Sequence, residues 1–140
     1  MSATRRFWSA VAILTWSTCA WSQSATPEAF VPLQGTWKVI GAEQGGRPVN
    51  ALPGSKLIIG DDSFELQVAG HEFRGKIRVR WEGSPKQIDF LLPSTIWRGI
   101  FTLTDKTLRV HYVDVTDSAE RPTLFATTAD QPTILLVMQR

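Results

Sequence analysis

The chain has 140 residues, with 15 lysines and arginines against 13 aspartates and glutamates, a formal charge of +2. That excess belongs to the leader: removing residues 1–22 takes away Arg5 and Arg6 and no acid, leaving 13 basic residues facing 13 acidic ones over 118 positions. A formally neutral chain gives no electrostatic ground for nucleic acid or anionic lipid as a partner. Cys19 is the single cysteine, so a disulfide framework is excluded and one apolar core must hold the fold.

Residues 1–22 read as a secretory signal peptide: Arg5 and Arg6, an apolar run over 7–16, small residues through Ser22, and no acid before Glu28. The run is much shorter than the roughly 20 apolar residues a bilayer span needs. Cleavage after Ala20 or after Ser22 meets the small-residue requirement equally, so both stay open. The expected location is periplasmic or secreted. The alternative is a lipoprotein anchored through Cys19, against which Trp16-Ser17-Thr18 lacks the expected aliphatic residue.

Residues 23–32 read as a flexible spacer, and the folded domain is expected over 33–140. From Leu33 onward the apolar residues follow period two, with turn residues every eight to twelve positions, which predicts an all-β fold without an ordinary helix. The first strand, 35–42, places Trp37 and Val39 on one face and ends at Gln44-Gly45-Gly46. A hairpin follows around Asp61-Asp62-Ser63, with Phe64, Leu66 and Val68 inward. Strand 73–81 alternates Phe73, Ile77, Val79 and Trp81 with Arg74, Lys76, Arg78 and Arg80. A hairpin loop at 82–85 would then set Ile77 against Phe90, Val79 against Ile88 and Arg78 against Asp89; a slip of one residue would turn Ile88 and Phe90 outward. Further strands are predicted at 97–103, 107–113, 122–127 and 133–138. About eight strands with short loops suit a small closed antiparallel barrel in which the last strand pairs with the first.

The ordered pieces Leu33-Gln34-Gly35-Thr36-Trp37, Gly46-Arg47-Pro48, Gly60-Asp61 with Phe64, Pro85-Lys86-Gln87-Ile88-Asp89, Gly99-Ile100-Phe101, Thr107-Leu108-Arg109-Val110, Arg121-Pro122-Thr123-Leu124-Phe125 and a closing Arg140 resemble the lipocalin-like domain of small exported bacterial proteins first catalogued in planctomycetes. The chain departs from that pattern at Phe101, where the family usually has Tyr, and at Val110 and His111, beside which it often has Cys. The resemblance implies a lipocalin-like barrel in the cell envelope and brings no activity, ligand or catalytic residue with it. By the same analogy, an arginine from late in the chain, Arg121 or Arg140, would close over Trp37 at the barrel base. Gly35 and Asp89 belong to the same structural set. Pro122 would open a strand and Phe125 would plug the barrel.

No catalytic motif is present. His71 sits at a Gly-flanked turn and His111 on the polar face of its strand, so a metal site would need both to meet Asp114 or another acid, without any supporting spacing. Asp61-Asp62 lacks the alternating ligands of a calcium loop. The ladder of Arg74, Lys76, Arg78 and Arg80 reads as a solvated face balanced by neighbours such as Asp89 and Glu82, with an anionic ligand or acidic partner as the alternative. The expected role is therefore a non-enzymatic binding module without cofactor or metal, holding a small apolar molecule or an envelope protein against Trp37, Phe64, Phe73, Trp81, Phe90 and Phe101. The alternative is an envelope hydrolase or isomerase using Asp89, His111 or Asp114.

Overall fold

The computed structural model describes residues 27–117 and 120–140; the leader and Cys19 lie outside them. A 3₁₀ helix, Pro27–Leu33, is followed by β1 (Gly35–Gln44), β2 (Arg47–Pro48), β3 (Lys56–Ile59), β4 (Ser63–Val68), β5 (His71–Arg80), β6 (Lys86–Leu91), β7 (Ile96–Leu103), β8 (Thr107–Asp114) and β9 (Thr133–Gln139). Every strand from β3 onward pairs antiparallel with the next, and β9 pairs back onto β1, so eight strands close an up-and-down barrel. Closure satisfies both edges of the sheet. The two-residue β2 only extends the tip of β1. No helix among the described residues is long and apolar enough to cross a membrane.

Hydrophobic alternation sets the register, as in β5 and β6, where Ile77 lies opposite Phe90, Arg78 opposite Asp89 and Val79 opposite Ile88. In β1 a bulge at Ile40 interrupts the pairing with β9 between Val39 and Gly41. The extra residue turns the inward face from Trp37 and Val39 to Ala42 and Gln44 and leaves Ile40 exposed. Two inward glycines allow the sheet to coil tightly. A Cβ at Gly75 would stand 2.0 Å from the Leu91 carbonyl oxygen, and one at Gly99 would stand 2.6 Å from that of His111.

The interior is not uniform. Trp37, Ile88, Leu108 and Met138 are fully buried near the end where β1 begins and β9 finishes, and Phe30 and Leu33 of the 3₁₀ helix close that end. The folded unit therefore starts before Leu33: over 27–32 the expected flexible spacer is a helical turn, because burying Phe30 against the barrel base outweighs the disorder that the local polar composition favours.

A second layer lies outside the barrel. Ile100, His111, Val113, Thr133 and Leu135 point away from the interior yet are buried. The β8–β9 connection, of which 115–117 and 120–132 are described, crosses over them as a strap. Arg121 reaches Asp89 of β6 and the Gly99 carbonyl of β7, Leu124 meets His111 of β8, and Thr127 bonds Glu43 of β1 and the Gly46 amide. This corrects the predicted strand at 122–127. The segment forms no ladder because its backbone and side chains bond across the strands instead of alongside them.

Candidate functional site

The base of the barrel is sealed. The Trp37 indole nitrogen donates to the Leu33 carbonyl at 2.8 Å, and the Arg140 guanidinium lies 4.5 Å over the Trp37 ring while donating to the Pro32 carbonyl at 3.0 Å. Arg140 is thus the arginine that covers the Gly-x-Trp motif, its charge balanced by the ring face and by carbonyl dipoles. Arg121, the other candidate, lies far from that end: its Nη1 is 2.7 Å from Asp89 Oδ1 and 2.8 Å from the Gly99 carbonyl oxygen, on the outer face of the barrel. Pro122 is buried in the strap, where it opens no strand. Phe125 does not plug the barrel; it stacks outside, with the Arg109 guanidinium 5.2 Å from its ring.

The opposite end is hollow. A cavity of about 350 Å³ opens there, lined by Val39, Leu66, Phe73, Trp97, Tyr112 and Leu136 among others, with Gln44, Ser55, Asp114 and Asp117 as its polar groups. Up-and-down topology brings together the end of β1, the start of β5, the start of β7 and the end of β8, and inward parity does the rest. The Trp97 and Tyr112 rings stack at 5.1 Å and 28°, and Phe73 leans on Trp97 at 5.3 Å. Asp114 fixes this wall. Its carboxylate accepts from the Thr95 hydroxyl at 2.6 Å, the Trp97 indole at 3.1 Å, and the Thr116 amide and hydroxyl at 2.9 and 2.8 Å. Burial pushes the Asp114 carboxyl up, but these donors together hold it below its ordinary value. Burial, with the Asp114 charge second, pushes the Tyr112 phenol well above its usual range.

Of the six aromatic residues nominated from the sequence, Phe73 alone lines this cavity. Trp37 belongs to the sealed base, whereas Phe64, Phe90 and Phe101 fill the interior, Phe64 edge-on to Phe90 at 4.8 Å. Trp81 is half-buried against Phe101 at 5.2 Å. Inward parity identifies these rings but does not say how far along the barrel axis a residue sits. Trp97 and Tyr112 share that parity and lie outside the six. The signal that finds them is position: both lie at strand ends that a meander delivers to the same rim.

Asp89, His111 and Asp114 occupy three separate places. Asp89 faces outward between Arg121 and Arg78, the latter at 3.8 Å. His111, expected on an exposed polar face, is 1 % exposed because the strap covers it. Its Nδ1 donates to the Leu124 carbonyl, and Nε2 accepts from the Thr133 hydroxyl at 2.7 Å, which fixes one neutral tautomer. Burial pushes the imidazole below its usual value, against the Leu124 bond and the Glu43 charge. His71 is exposed on the β4–β5 hairpin. No three His, Cys, Asp or Glu side chains among the described residues are placed to hold a metal.

The basic ladder is largely paired: Arg74 with Glu65 and Glu72, Lys76 with Asp62, and Arg78 with Asp89. Asp61 accepts from the Gln34 amide at 3.0 Å, which ties the turn to the base. A second hollow of about 450 Å³ under the strap is lined by polar residues such as Glu120, Asp130 and Gln131. Comparison with protein-family models, curated proteins and solved structures yields no match to this chain.

Proposed function

We propose that the chain is an exported, non-enzymatic binding module of the cell envelope, periplasmic or secreted, that holds a small apolar molecule in the mouth of its barrel. The observation that carries this reading is the cavity of about 350 Å³, walled by aliphatic side chains and three aromatic rings at one end of a barrel whose other end is sealed. A pocket with few polar groups and a mostly apolar wall suits capture of a ligand better than chemistry on it. The separation of Asp89, His111 and Asp114 gives the hydrolase or isomerase alternative no assembled pair of groups to work with.

Fluorescence titration of the purified mature protein with N-phenyl-1-naphthylamine, together with mass spectrometry of solvent extracts, tests the reading. Saturable enhancement is expected, with Kd on the order of micromolar. Leu136→Trp, which fills the cavity from its wall, should abolish the signal, whereas Leu124→Trp on the exposed strap should leave it unchanged. If the probe signal is absent, or if Leu136→Trp leaves it intact, the ligand-binding role is refuted and an envelope protein becomes the partner to seek.

A further inference from the structure

The mouth cavity has a marked chemical bias. Among the described residues that line it there are two carboxylates, Asp114 and Asp117, and no lysine, arginine or histidine. Asp114 is not a free surface acid: the Trp97 indole donates to its Oδ2 at 3.1 Å while Thr95 and Thr116 hold Oδ1, so the negative charge is fixed at the edge of the aromatic wall. The wall itself, Trp97 stacked on Tyr112 with Phe73 against Trp97, presents ring faces whose quadrupoles attract positive charge.

Tyr112, 8 % exposed, is part of the cavity wall next to Asp114. An anionic head entering the same space would lose its hydration and face two carboxylates, with hydroxyl and amide groups as its only donors there; a cationic head would keep favourable charge on both sides.

We propose that the mouth pocket selects ring-bearing apolar amines, with the hydrocarbon body against Phe73, Trp97 and Tyr112 and the ammonium group between Asp114 and Asp117, and rejects carboxylates of the same shape. This inference rests on the binding reading above, and one titration series separates the two. Calorimetric titration with 2-naphthylmethylamine, 2-naphthylmethanol and 2-naphthoate at neutral pH varies charge on nearly constant shape. The amine is expected to bind about ten-fold more tightly than the alcohol, and the naphthoate about ten-fold more weakly than the alcohol.

Asp117→Asn, an exposed rim substitution that leaves the aromatic wall in place, should reduce the ratio of amine to alcohol affinity several-fold. Asp114→Asn should reduce it further, with circular dichroism confirming the fold. Equal binding of amine and alcohol, tighter binding of naphthoate, or an unchanged preference in both variants would overturn the charge selection while leaving the pocket intact. Failure of all three compounds to bind would overturn both readings.

Discussion

Arg140 shows how much one exposed side chain can do when its partner is buried. It joins the last residue of the barrel to Trp37 of β1 and to the carbonyls of Pro32 and Gln34, so three stretches of chain meet at one guanidinium. Arg140→Met should cost about 1–2 kcal/mol, read as a fall in Tm of several degrees; an unchanged melt would place the seal elsewhere. At the other end of the barrel, Ala69 adopts φ of 46° in the β4–β5 turn beside Gly70 at 82°. A left-handed alanine is strained, so Ala69→Gly should stabilise by about 0.5–1 kcal/mol despite the entropy that glycine adds to the unfolded chain. Gly99→Ala has the opposite sign. Its Cβ would collide with the His111 carbonyl and stand 2.9 Å from Tyr112 Cβ, and backbone cannot swing aside, so a loss of about 2–3 kcal/mol is expected in chemical denaturation.

At the scale of elements, the strap is the feature that the sequence conceals. Residues such as Leu124 and Phe125 have strand-forming composition, and alternation within 122–127 looks like a ninth ribbon. The signal that points to a covering segment is elsewhere. Ile100-Phe101, His111-Tyr112-Val113 and Leu135-Leu136 are runs of neighbouring buried residues, which a strand with one wet face does not tolerate. By contrast, the pairing of β5 with β6 is legible because Ile77, Val79, Ile88 and Phe90 all face inward only in a register of one parity, and the short 82–85 hairpin loop then sets Ile77 opposite Phe90.

The strap also carries a titration. His111 is held neutral in the folded protein with its pKa lowered by burial, so folding is fully stabilised above the unfolded value near 6.5 and loses stability as the pH falls from there through the lower folded pKa. The melting temperature should therefore decline on acidification across that window. His111→Gln, which keeps polar atoms for Leu124 and Thr133, should flatten the decline, and an equal decline in the variant would assign it to other groups. Asp114 acts in a lower window. Its folded pKa is depressed, so its contribution is present above its ordinary value of 3.8 and is lost as the pH falls below it.

For the molecule as a whole, the sealed base and the hollow mouth follow from how large side chains are distributed along the axis. Trp37, Phe101, Ile88 and Met138 fill one end of an eight-stranded barrel, which is just wide enough for side chains to occupy completely. At the other end the inward positions of β1 beyond the bulge are Ala42 and Gln44, and space remains. The closed all-β architecture could be read from period-two alternation and turn spacing. The cavity could not, because its walls depend on where the strands end and on a bulge that the sequence does not advertise.

The central claim is that ligand enters at the rim where Phe73, Trp97 and Tyr112 meet. Amide chemical-shift mapping by NMR during titration with 2-naphthylmethanol tests it most directly. Shifts should cluster at Val68, Phe73, Trp97, Tyr112 and Ile134, with Trp37 and Arg140 unmoved. Shifts concentrated at the base or on the strap, or none at saturating probe, would contradict the account.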